Sequence, residues 1–137
     1  QVSRIWVDTG ALLALASPRD QHHHRAVATM RRHAAAGVRW TSSVLVLAEF
    51  HSLATHRRGP GPARAHFSSL LSDPSYEWLD VPVSLIIEAT PNWLDRFPDQ
   101  AFSLADAVSF EWMRRERITQ AFSFDQDFVT AGFELLS

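Results

Sequence analysis

Four acidic residues occupy positions where a carboxylate can do chemistry. Asp8 closes the apolar run Ile5-Trp6-Val7, and Asp125 ends a second such run in Ala121-Phe122-Ser123-Phe124. Asp106 falls in the opening turn of a helical stretch, Ser103-Leu-Ala-Asp-Ala-Val, and Glu49 lies in the middle of another, Val44-Leu-Val-Leu-Ala-Glu-Phe. Helix capping explains each aspartate taken singly: Asp8 or Thr9 can cap the helix that follows, Asp125 a short one, and Ser103 with Asp106 has capping-box spacing. Glu49 does not fit that reading. At about 100° per residue it projects between Leu45 and Leu53, on the apolar arc expected to be buried, while His51, Ser52, Thr55 and His56 take the polar side. Asp106 likewise shares a face with Phe110 and Met113. Inward-pointing acids from two helices and two strand ends imply a common pocket. Carboxylates brought together raise one another's pKa unless a cation neutralises them. No arginine is spaced to serve all four. Oxygen-only ligands favour Mg²⁺ or Mn²⁺ over Zn²⁺, and such an ion with open positions suits phosphodiester hydrolysis.

The elements that must carry these residues alternate. Short apolar segments at 5–7, 38–41, 76–81 and 120–124, with a last one at 133–136, read as strands. Helical patterns fill 9–16, 22–36, 44–56, 63–71, 82–94 and 103–116, and a helical turn follows Asp125. In the helix over 22–36, Val27, Met30 and Ala34 are the expected buried stripe. Arg57-Arg58-Gly59-Pro60-Gly61-Pro62 reads as a basic loop. Strands alternating with helices imply βαβ units, and so an α/β fold with a mostly parallel central sheet and helices on both faces. Asp8 then stands at the carboxyl edge of the first strand, the edge where such sheets bind ligands.

With 137 residues and 46% hydrophobic content, the sequence is expected to form one domain over 1–137 with a continuous core. No apolar run is long enough to span a bilayer and no secretory signal is read at the start. The chain has no cysteine, so disulfides and thiolate metal sites are excluded; this is compatible with a reducing cytoplasm. The net charge of −2 argues against wholesale capture of nucleic acid. All 13 basic residues are arginine, several paired (Arg31-Arg32, Arg57-Arg58, Arg114-Arg115), and their forks suit phosphate, carboxylate or plain solvation.

Taken in order, Val7-Asp8-Thr9, Leu47-Ala48-Glu49, Ser103-Leu-Ala-Asp106-Ala and Phe124-Asp125-Gln-Asp127-Phe resemble PIN-domain ribonucleases, and most of all the VapC toxins of bacterial toxin–antitoxin pairs. The resemblance spans essentially the whole chain. It implies a Rossmann-like α/β/α fold, Mg²⁺- or Mn²⁺-dependent endoribonuclease activity, a homodimer, and an antitoxin whose C-terminal peptide enters the acidic pocket. Carried over position by position, Asp8, Glu49, Asp106 and Asp125 are the acidic quartet. Thr9 and Ser103 are supporting hydroxyls, and Asp127 is an extra acid that assists or replaces Asp125. Ala105 departs from the pattern, since relatives often carry Thr or Ser there. Arg57 and Arg58 are the candidates for contact with the RNA backbone. The alternative is a catalytically silent PIN-like domain that binds RNA or protein.

Three other signals are set aside. Asp8-Thr9-Gly10-Ala11 matches the aspartic-peptidase signature, but that enzyme needs an almost all-β surround. His22-His23-His24 are consecutive on a helix and diverge by about 100° each, so they cannot converge on one ion and are read as a solvated first turn. The five tryptophans are scattered through the chain and read as core or interface mass.

Overall fold

A computed structural model describes residues 2–137; Gln1, where the expected domain begins, lies outside the described residues. Five strands, β1 (Arg4–Val7), β2 (Arg39–Ser43), β3 (Tyr76–Leu79), β4 (Gln120–Phe122) and β5 (Glu134–Leu135), form one sheet in the order β3-β2-β1-β4-β5. Every pairing is parallel. The helices are α1 (Thr9–Ala16), α2 (His23–Ala34), α3 (Val44–Arg58), α4 (Pro60–Ser72), α5 (Val83–Ala89), α6 (Leu104–Glu116) and α7 (Asp127–Thr130). A π-helical stretch, Thr90–Asp95, continues α5; Pro91 lacks the N–H that regular α-helix would need there.

The chain runs outward from β1 to β2 and β3, then returns past β1 to β4 and β5. Right-handed crossovers therefore put α1–α4 on one face and α5–α7 on the other. The contacts agree: α1 packs on α2 and α3, α3 on α4, and α5 on α6. Between the faces lies the core, with Trp6, Trp40, Phe110 and Phe122 fully buried. Trp93 belongs to the same cluster, while Trp78 and Trp112 are half-buried against it.

Three expectations change. Arg57 and Arg58 do not lie on a loop: they form the last turn of α3, and the break is a single-residue elbow at Gly59. Its φ of +88° with ψ of 167° is a conformation open essentially only to glycine. α4 starts at once on Pro60, whose missing N–H costs nothing in a first helical turn. In α2 the buried positions are Ala26 and Thr29, with Val27 and Met30 half-buried and Ala34 exposed. In α3 they are Val46, Leu47, Phe50 and Ala54. Glu49 is therefore not on the buried stripe; it is exposed, like its neighbour in the next turn, Leu53.

Among the described residues, no helix is long and apolar enough to cross a membrane.

Candidate functional site

β1 and β4 are neighbours whose chains leave the sheet toward opposite faces, so their carboxyl ends flank the switch point where open α/β sheets form a crevice. Asp8 follows β1 and Asp125 follows β4 by three residues. A cavity of about 600 Å³ opens there. Asp8, Glu49, Asp106 and Asp125 all line it, together with Thr9 and Ser103.

Asp8 occupies the N-cap position of α1 with extended backbone, yet its side chain makes no capping bond. Its amide donates to the Phe122 carbonyl at 3.0 Å, which extends the β1–β4 pairing by one step. One carboxylate oxygen, Oδ2, accepts the Ser123 hydroxyl at 3.0 Å. Ser123 Oγ in turn accepts the Asp125 amide at 3.0 Å, so this one buried serine fixes both strand-end acids. Burial pushes the Asp8 carboxyl up to about 7; the Ser123 hydrogen bond opposes the rise, and repulsion from Asp106 and Asp125 adds to it.

Asp106 does two things. It completes a capping box: Ser103 Oγ accepts the Asp106 amide, and Asp106 Oδ2 accepts the Ser103 amide, both at 3.0 Å. Its carboxyl group also lines the cavity, where burial raises its pKa; the Ser103 bonds pull the other way, and repulsion from Asp125 and Asp127 adds to the rise. Asp125 Oδ1 accepts the Asp127 amide at 2.9 Å, bracing the start of α7. Asp127 itself is not part of the cavity wall; burial, then the nearby Asp125, raises its pKa. Capping is thus present at Asp106 and absent at Asp8, while Asp125 braces the turn into α7 from outside its N-cap, Gln126.

Glu49 reaches the cavity from its open side. The buried Thr9 donates its hydroxyl to Glu49 Oε1 at 2.5 Å, tying α3 to the start of α1. The acids thus share a pocket, but the Glu49 carboxylate is held by a hydroxyl at a solvent-facing rim and not by burial in a core.

Of the arginines, Arg57 lines the cavity and faces Asp20 at 3.7 Å. Arg58 donates to the Ala16 carbonyl at the end of α1 and, with Arg19 and Arg57, borders an adjoining cleft of about 510 Å³.

The donor set suits a hard cation. The four acids offer only oxygen; burial first, and then repulsion between neighbouring carboxylates, raises Asp8 and Asp106, and a cation would relieve both. Among the described residues no trio of His, Asp or Glu side chains is arranged to hold an ion unaided.

Sequence reasoning missed Ser123 and His22. A serine two residues ahead of an aspartate at a strand end is a turn signal that points at Ser123. As one of three consecutive histidines His22 reads as part of a solvated first turn, but its ring lines the cavity. The expected divergence of the three histidines holds: His23 Nδ1 meets the Ala14 carbonyl at 2.7 Å, and His24 is exposed.

Known proteins share this fold. The 23S rRNA-specific endonuclease VapC20 of Mycobacterium tuberculosis is 33% identical over 129 residues, covering 94% of this chain and 95% of its own. The crystal structure of that protein, described as a sarcin–ricin loop cleaving toxin, superposes with a TM-score of 0.82 at 32% identity, over 94% of this chain and 95% of the other. VapBC2 from Rickettsia felis (TM-score 0.70, 11% identity, 96% of each chain) shares the fold. So does FitAcB from Neisseria gonorrhoeae (TM-score 0.68, 13% identity, 97% of this chain and 96% of the other). The PIN domain model matches residues 5–134, a span that takes in both strand-end aspartates and the acids of α3 and α6, and by that match the chain belongs to the PIN-domain family.

Proposed function

We propose that this chain, as one PIN domain over 1–137, is a divalent-metal-dependent endoribonuclease and the toxin of a toxin–antitoxin pair acting in the cytoplasm. The observation that carries the reading is that Asp8, Glu49, Asp106 and Asp125, far apart in sequence, border one cavity at the sheet's switch point. The relative named above cleaves 23S rRNA at the sarcin–ricin loop, and ribosomal RNA is the substrate class proposed here. Asp8, Asp106 and Asp125 would hold Mg²⁺ or Mn²⁺, directly or through water, with Asp127 as a reserve acid. The chemistry such an ion supplies is water activation and neutralisation of charge on the phosphate. Ser123 and Ser103 orient the aspartates. Glu49, steered by Thr9, accepts the proton lost by the attacking water. Arg57, on the cavity rim, and Arg58, in the adjoining cleft, bind flanking backbone phosphates.

The test is cleavage of a hairpin RNA carrying the sarcin–ricin loop. Cleavage should require Mg²⁺ or Mn²⁺, stop on addition of EDTA and return when the ion is restored. RNA binding with no metal-dependent cleavage would make the chain a silent PIN-like domain instead.

Two partners follow. Structural neighbours include VapBC2 and a toxin–antitoxin complex from Klebsiella pneumoniae, which motivates a protein antitoxin that covers the acidic pocket. A homodimer is motivated by Val83 and Ile87, one turn apart on α5 and 71% and 65% exposed. Light scattering should give twice the chain mass, and Val83→Glu should halve it; a monomeric wild type at micromolar concentration would refute the dimer.

A further inference from the structure

The acid cavity is larger and less polar than a phosphate and its metal require. Besides the carboxylates its wall carries Leu13, Leu53, His22 and Phe124. The His22 and Phe124 rings are stacked, with centroids 4.2 Å apart and planes 9° from parallel. The Arg25 guanidinium carbon lies 5.2 Å from the Phe124 centroid and adds a cationic group to the same stack. Both rings are half-buried and border the cavity. They come from different elements, the residue before α2 and the segment just after β4, and the fold brings them together beside Asp125.

Chemistry at a phosphodiester accounts for the acids and for Arg57, but not for an aromatic and aliphatic wall. Proteins that read unpaired RNA stack its splayed bases on His, Phe or Tyr rings. We infer that the His22–Phe124 stack, with Leu13 and Leu53, seats an unpaired nucleobase adjoining the phosphate that is cut. The substrate class is then RNA with an extruded base at the cleavage site, not a continuous duplex. This rests on the nuclease reading above and assigns the half of the cavity that reading leaves unused. His22 is here a positioning and specificity residue that holds substrate and takes no part in bond cleavage.

The experiment compares wild type, His22→Ala and His22→Phe on the sarcin–ricin hairpin and on versions of it with one loop base at a time removed. On intact RNA, His22→Ala should raise KM roughly tenfold, the scale of one lost base stack, with little change in kcat. His22→Phe, which keeps a flat ring, should restore KM. In wild type, one abasic position should raise KM by a similar factor, and on that RNA His22→Ala should add nothing further. Equal KM increases for His22→Ala on intact RNA and on every abasic RNA would overturn the proposal, as would an unchanged KM on intact RNA. Binding of the same RNAs in EDTA, read by fluorescence anisotropy, gives the same comparison without cleavage. Failure of the nuclease reading is thereby told apart from failure of the base seat.

Discussion

Asp8→Asn is expected to lower RNA cleavage on the order of a thousandfold while making the metal-free protein more stable near neutral pH. The first effect follows if Asp8 is a metal ligand: several kcal/mol of transition-state stabilisation go with the ion, and each 1.36 kcal/mol is tenfold in rate, so about 4 kcal/mol gives that factor. The second follows from the carboxyl's folded-state pKa of about 7, against 3.8 in the open chain. Between those values the folded protein keeps a proton that the unfolded chain has lost, so stability falls as pH rises through the window. The full loss is about 2–4 kcal/mol, the lower figure allowing for the part of the carboxylate that reaches the open cavity. Asparagine accepts the Ser123 hydroxyl equally well and has no charge to desolvate. Urea unfolding in chelator should therefore show wild type weakening between pH 4 and 8 more than the variant does. Mg²⁺ or Mn²⁺ should restore wild type at pH 8 and leave the variant nearly unchanged. If both proteins share one pH profile, or if metal stabilises them equally, Asp8 is not the ion's anchor.

The residues that positioned the site differ in how plainly the sequence announced them. Asp8 and Asp125 were legible because a short apolar run ending in an acid is read the same way by local pattern and by the sheet. Ser103 and Asp106 were legible for a local reason too, since capping-box spacing is set within one helical turn. The burial expected for Glu49 fails, although the residue borders the same cavity as the three aspartates. Periodicity groups residues along a helix side but does not say where the neighbouring elements arrive. With α1 and α4 packed on α3, the buried line is Val46, Phe50 and Ala54, not Leu45, Glu49 and Leu53. Gly59 looked like the middle of a loop because Pro and Gly crowd around it, yet a positive φ at one residue is enough to fold two helices back on each other. His22 and Phe124 are about a hundred residues apart in sequence, and no local pattern links them before the sheet sets β4 beside β1.

Glu111 is the clearest case of a residue the sequence hid, and its removal should be strongly destabilising. In Phe110-Glu-Trp-Met-Arg-Arg-Glu-Arg it reads as one more surface charge, but its side chain is 0% exposed. Oε1 accepts the Trp93 indole N–H at 3.0 Å and the Asn92 amide at 3.1 Å, both from the π-helical stretch; Oε2 accepts Arg114 at 2.6 Å and Arg115 at 2.7 Å. The arginine pair in the sequence thus serves to close over a buried acid, and Arg115 also reaches Glu88 on α5. Burial alone would raise the Glu111 pKa; the bonds from Arg114, Arg115, Asn92 and Trp93 outweigh it and hold the group at about 2. Glu111→Ala leaves the buried Trp93 N–H without an acceptor and detaches the π-helical stretch from α6, the helix that carries Asp106. The expected cost is about 3–5 kcal/mol, the range for breaking a buried, hydrogen-bonded charge cluster from one side. Glu111→Gln, which keeps an acceptor for Trp93 and loses the charge between two arginines, should cost roughly half as much. The pH dependence runs opposite to that of Asp8. A depressed folded pKa contributes stability that is whole above the open-chain value of 4.5 and disappears as pH falls toward 2. Metal-free wild type should accordingly be most stable near pH 4 to 5, with Asp8 eroding it on the alkaline side and Glu111 on the acid side. An unfolding midpoint for Glu111→Ala equal to that of wild type at pH 7 would mean that the cluster contributes nothing net and that the π-helical stretch is held by Trp93 packing alone.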